Sequence, residues 1–381
     1  MANITDYLRW RGDLAFSERP FNDVDNVILS ALACLDFTGI VPGEEGADIA
    51  LGDACRELIA HSEGDIGKYV RSLAKVDVAF VKTLSSAERF AEARLSHYVD
   101  VVNEKRSLQF AALLVTLPGS DVYVAFRGTD DTLVGWRENL MLSYEVTAAQ
   151  KEAVAYLERV VAKVDTSAGK VMVGGHSKGG NLAEFAARMC SSKISARLSR
   201  VYSNDGPGID LAVVPRNKLA KLDGRLRHIV PSYSVVGMLY AKDMPRLVVA
   251  SNERGVAQHD LMSWQVVRDS MEEAPEGLDE DCVTLNRVLT DWIMSLSFSE
   301  RRRCVDEIFD VLGAGGAVHL DEIASSPEHL QDVLRAVRNT DEHTRDIVLM
   351  LVQGAAAVSV DSVRKSVSKT VRDARKLLFG E

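Results

Sequence analysis

The sequence predicts an α/β protein: a mostly parallel sheet with helices on both faces, carrying helical N-terminal and C-terminal additions. Three observations predict it. Between residues 98 and 280, short β-branched runs alternate with helical patterns and end in loops rich in glycine, proline and aspartate. Residues before 98 and after 280 lack such runs and read as helices. In the middle, Val171-Met172-Val173 meets Gly174-Gly175-His176-Ser177-Lys178-Gly179-Gly180 and then a helix-forming stretch: strand, sharp turn and helix in that order.

At 381 residues the chain exceeds one average domain, and the patterning divides it into a helical segment over 1–97, an α/β core over 98–280 and a helical region over 281–381. Hydrophobic content of 46% and charged content of 26% suit a soluble chain able to bury a sizeable core. The net charge of −10 and pI near 5.4 argue against nucleic acid as a principal partner. Five scattered cysteines without C-x-x-C spacing read as reduced thiols of a cytoplasmic protein, and no cluster has the spacing of a metal site. The first residues lack a basic stretch followed by an apolar one, so no signal peptide is expected, and no run is apolar for long enough to span a membrane.

In chain order, residues 22–37 open on capping residues and continue as an apolar helix, followed by helices over 49–62, 66–84 and 86–97. Strands are expected over 98–104 and 108–117 as a hairpin-like pair, and over 122–126 after the turn Pro118-Gly119-Ser120-Asp121. A helix over 148–164 precedes the strand at 170–173. Further strands at 200–203, 226–230 and 246–250 end respectively near Asp205, near Ser234 and on the approach to His259. In a parallel sheet, active-site residues sit on loops at the carboxyl ends of strands, where Ser177, Asp205 and His259 all fall. Helices follow over 285–296, 299–312, 327–337 and 342–352. A last basic stretch at 362–379 reads as a solvated terminal helix, with weak contact to an anionic membrane surface as the alternative.

Gly175-His176-Ser177-Lys178-Gly179 is the G-x-S-x-G pattern of a nucleophile elbow. The glycines leave room for a strained turn, and the serine hydroxyl projects near the positive end of the following helix. The backbone N–H of Lys178 is then one oxyanion donor. A phosphate-binding loop is excluded because the lysine stands between serine and glycine. Serine needs a base, and of the eight histidines His259 follows the last strand, in the order serine, acid, histidine. His176 is expected to pack beside the nucleophile rather than act as its base.

Val124-Ala125-Phe126-Arg127-Gly128-Thr129 followed by Trp136, with Gly175 to Gly180 further on, resembles the lipase class 3 branch of the α/β-hydrolases and, more closely, a bacterial family related to those lipases. The resemblance spans roughly residues 100–265. It implies an α/β-hydrolase fold and serine esterase or lipase chemistry on an acyl lipid or other hydrophobic ester, without a cofactor. It also implies that Thr129 supplies the second oxyanion N–H. Those lipases carry an aspartate after the penultimate strand, where this chain has Ser234. The carboxylate is then Asp205, one strand earlier, or Asp243, before the last strand, or it is missing. In the last case the chain would be a hydrolase-like scaffold acting as a binding or regulatory module.

Overall fold

The computed structural model describes residues 2–358, apart from residues 44–46, 131, 165–168, 211–213, 215–216, 218–221, 223, 242–243, 320–321 and 324–325. Asp243 and the basic stretch at 362–379 lie outside the described residues. The chain forms two compact units, one of Met1–Thr129 with Val146–Thr290, the other of Asp130–Glu145 with Asp291–Glu381.

The first unit is built on an eight-stranded sheet whose spatial order follows the chain. Its strands are β1 (Ile49–Ala50), β2 (Arg94–Asn103), β3 (Leu108–Thr116), β4 (Val122–Phe126), β5 (Val171–His176), β6 (Leu198–Asn204), β7 (Leu226–Pro231) and β8 (Arg246–Val249). β1 to β4 pair antiparallel and β4 to β8 pair parallel. The tight turn after Leu117 forces β3 and β4 to run antiparallel, whereas helices α7 (Ala148–Lys163) and α8 (Lys178–Met189) flank β5 and permit parallel crossovers.

β4 and β5 are buried along their whole length, as strands covered on both faces must be. Alternate residues feed two cores. Leu113, Val115, Tyr123 and Ala125 face a core formed with α1 (Ile4–Arg11), α2 (Asp23–Leu32), α3 (Leu51–His61) and α4 (Val78–Ser86). Phe110, Leu114, Val124 and Phe126 face the other core, with α7 and α8.

α2 begins with a capping box in which Asn22 and Asp25 satisfy each other's backbone N–H groups. It also reaches under the carboxyl end of β6. Asn26 and Asn204 exchange side-chain hydrogen bonds of 2.8 and 3.1 Å, and Ser30 and Tyr123 join the same buried network.

Two N-terminal expectations fail. The helix expected over 86–97 ends with α5 (Glu88–Ala91), and β2 begins at Arg94 because Arg94 and Leu95 pair with both β1 and β3. The helix expected over 66–84 breaks: Ile66–Tyr69 is a single 3-10 turn, Val70 bridges to Leu35, and Asp77 then caps α4 by accepting from Phe80 N. At Arg94 sheet pairing overrides a local helical pattern.

The second unit contains a segment inserted between β4 and α7. That segment carries α6 (Leu133–Met141), which the sequence left unassigned, and packs with helices Phe298–Leu312, Pro327–Ala336 and Glu342–Val358. Its core gathers Tyr144, Ile308, Leu312, Val333 and Val348. Arg302 pairs with Glu145 at 2.8 Å, and Arg137 pairs with Asp306.

Candidate active site

β5 ends at His176, α8 starts at Lys178, and Ser177 forms the turn between them with φ +57° and ψ −129°. A non-glycine residue there stores about 1–3 kcal/mol of strain. Neighbouring backbone holds it in place. Ser177 N–H donates to Asn204 O at 2.9 Å, and Gly180 N–H donates to Ser177 O at 2.9 Å. The flanking glycines are sterically required, since a Cβ on Gly175 would lie 2.6 Å from the carbonyl carbon of Gly179. Ser177 itself stays partly exposed.

His259 Nε2 lies 3.0 Å from Ser177 Oγ, and its Nδ1 lies 2.6 Å from Asp205 Oδ2. Asp205 follows β6 in a left-handed conformation, φ +49°, and its N–H donates to Ile229 O at 2.7 Å. Its carboxylate is buried, while the His259 side chain is 17% exposed. The other carboxylate oxygen, Oδ1, accepts from Ser234 Oγ and, at 3.2 Å, from Gly237 N–H.

The loop bearing His259 is tied down on several sides. Gln258 O accepts from Trp264 Nε1 at 2.8 Å, and Gln258 Oε1 accepts from Ser232 Oγ at 2.9 Å and Tyr233 N–H at 3.0 Å. Asp260 Oδ1 accepts from Lys75 N–H at 3.2 Å and from Met262 N–H at 3.0 Å. His176 Nε2 donates to His259 O at 2.7 Å, and the two imidazole centroids are 4.6 Å apart. Burial, reinforced by His259, lowers the His176 pKa to about 3, so this ring is a neutral donor.

Lys178 turns its side chain into the interior, where Nζ donates to Gln109 O at 2.8 Å and to Gln109 Oε1 at 2.5 Å. Its backbone opens the first turn of α8. Thr129 is buried just beyond Gly128, and a Cβ on Gly128 would lie 3.3 Å from Ser177 Cβ, so the Gly128–Thr129 backbone passes beside the serine. Arg127 anchors that strand end through a two-pronged pair with Asp100, at 2.6 and 2.7 Å.

The structure therefore brings Ser177, His259 and Asp205 into one hydrogen-bonded chain, with Lys178 adjoining and Thr129 alongside. Sequence reasoning expected His176 to pack beside the nucleophile but passed over the rest of the surroundings: Ser234 and Gly237 on the carboxylate, Gln258 on the base loop, and Asp260 and Trp264 beneath it. A hydroxyl three residues after Pro231 and a glycine three further on were the only traces of the first pair. Among the described residues, no group of three histidine, cysteine or acidic side chains could hold a metal ion, and no helix is long and apolar enough to cross a membrane.

A serine at a strand-to-helix elbow, facing an imidazole backed by a carboxylate at the carboxyl edge of a mostly parallel sheet, defines an α/β-hydrolase-type protein. The chain belongs to the Mbeg1-like family, whose sequence profile matches residues 84–310, more than half of the chain. Two solved structures are similar to it. A fungal lipase–inhibitor complex, described as a model for interfacial activation in lipases, is 14% identical with a TM-score of 0.33, over 53% of this chain and 75% of its own. The M37 lipase is 15% identical with a TM-score of 0.34, over 57% of this chain and 69% of its own. No curated protein matches the sequence.

Proposed function

We propose that this protein is a serine hydrolase that cleaves a carboxylic ester. Ser177 Oγ attacks the ester carbonyl as His259 Nε2 takes its proton, and the imidazolium then protonates the leaving alkoxide; water repeats the cycle on the acyl-enzyme. Asp205 orients the imidazole and stabilises its charged form. The backbone N–H groups of Lys178 and Thr129 hold the oxyanion, a reading supported by the first turn of α8 and by the closeness of Gly128 to Ser177. The observation that carries the reading is the pair of contacts on His259, 3.0 Å to Ser177 and 2.6 Å to Asp205. That second contact supports Asp205 as the carboxylate where Ser234 offers none, and so favours the hydrolase over a non-catalytic scaffold.

The substrate class, an acyl lipid or other hydrophobic ester, follows the lipase-like family. A cytoplasmic setting is proposed on the sequence alone, from five scattered cysteines without C-x-x-C spacing. The test is fluorophosphonate labelling of the purified protein together with hydrolysis of p-nitrophenyl esters of increasing chain length. Labelling lost in both Ser177→Ala and His259→Ala is expected. A folded wild-type protein that neither labels nor hydrolyses any ester would return the scaffold reading.

A further inference from the structure

We propose that Ser234 is a positioning residue for the acid: with Gly237 it fixes the carboxylate of Asp205 so that Oδ2 stays aimed at His259. This rests on the ester-hydrolase reading above. The torsion that turns a carboxylate plane is broad and two-fold, so a single contact to imidazole leaves that plane free to rock. Donors on the opposite oxygen remove the freedom. Asp205 Oδ1 has two, the Ser234 hydroxyl and the Gly237 N–H.

Burial makes the arrangement compulsory. Asp205 and Ser234 are both wholly buried, so water does not take the place of either partner. Gly237 must come close to serve as a donor, since a Cβ there would lie 2.7 Å from Ser234 Oγ and 2.9 Å from Val230 Cγ1. The same loop also holds the base, because Ser232 Oγ and Tyr233 N–H donate to Gln258, the residue before His259. One loop after β7 thus sets both partners of the acid–base pair. Where the resembling lipases place their aspartate, this chain places the hydroxyl that steadies an aspartate borne one strand earlier.

The experiment compares wild type, Ser234→Ala and Ser234→Cys as full-length proteins, measuring kcat and KM on a p-nitrophenyl ester, with urea midpoints to establish folding. A hydrogen bond to a charged group is lost in the alanine variant, so kcat should fall about 10- to 100-fold while KM stays near wild type. The cysteine variant, which keeps the size but donates weakly, should fall between the two. Should the alanine variant not fold, the cysteine variant is read alone against wild type. The NMR signal of the His259 Nδ1 proton should broaden or shift with the loss in kcat, a change that a merely structural serine would not produce. A folded Ser234→Ala protein with wild-type kcat, or a loss carried wholly by KM, overturns the proposal. Wild-type protein without labelling or turnover overturns the ester-hydrolase reading instead, so the two failures are told apart.

Discussion

Asp25 and Asp205 are both fully buried aspartates, yet they are partnered in opposite ways. Asp25 meets the guanidinium of Arg89 at 2.6 and 2.8 Å, and that guanidinium also donates to Leu14 O, Arg19 O and Pro20 O and lies over the Phe16 ring. Tyr7 OH and Asn22 N–H complete the shell around the carboxylate. Every contact leads back into the protein. Asp205 instead meets an imidazole that leads outward, through Nε2 and Ser177, to a partly exposed serine. An arginine keeps its charge, whereas a histidine gains and loses one near neutral pH. Under the proposed chemistry, equal burial yields an anchor in one place and a working group in the other, according to whether the partner can change charge within reach of a substrate.

The sharpest way to break this comparison is to neutralise each carboxylate or its partner. Under the proposed chemistry, Asp205→Asn should lower kcat by about 10⁴-fold with little change in the urea midpoint, because the amide keeps the shape but presents the wrong hydrogen-bonding pattern to His259. Arg89→Leu should do the reverse. It should cost about 3–5 kcal/mol of stability, measured by urea unfolding, because Asp25 stays buried without its cation. Replacing both members with leucine should recover most of that loss, since an apolar pair leaves no charge to desolvate. If Arg89→Leu lowered kcat per folded molecule as much as Asp205→Asn does, the division between anchor and working group would fail.

The two regions also differ in how far the sequence revealed them. The elbow is legible because its chemistry is local: seven consecutive residues carry the strand end, the serine and the glycines. The strand at Val122–Phe126 and the helix opening at Ala148 are legible for the same reason, a sustained period between turn signals. Asp205 could be singled out by its place at a strand end, but a gap of 54 residues separates it from His259, and only the sheet brings the two together. Ser234 read as the absence of an aspartate because its hydrogen bond to Asp205 joins the loops after two different strands. The start of β2 was hidden for a similar reason: residues 86–97 have a helical pattern of their own, and pairing with β1 and β3 decides against it at Arg94. Nothing in the pattern of Leu133–Met141 told that this helix packs with the C-terminal ones.

The smallest expected effect sharpens the comparison through pH. His176 and His228 are buried, and burial lowers their pKa values to about 3 and about 4 respectively. Between those values and the ordinary histidine value near 6.5, the unfolded chain binds protons that the folded protein refuses. Stability should therefore fall as pH drops below 6.5, by roughly 1 kcal/mol per pH unit for each histidine, and this contribution should stop changing above that pH. Glu184 and Asp260 act in the opposite sense, because burial raises their carboxyl pKa values and the folded form takes up protons first as pH falls. His228 is buried beside the Gly206 backbone, so His228→Leu removes a buried polar group as well as a titrating one. Urea midpoints at pH 7 and pH 5 should lie closer together in that variant than in wild type. An unchanged separation would place the acid sensitivity outside His228.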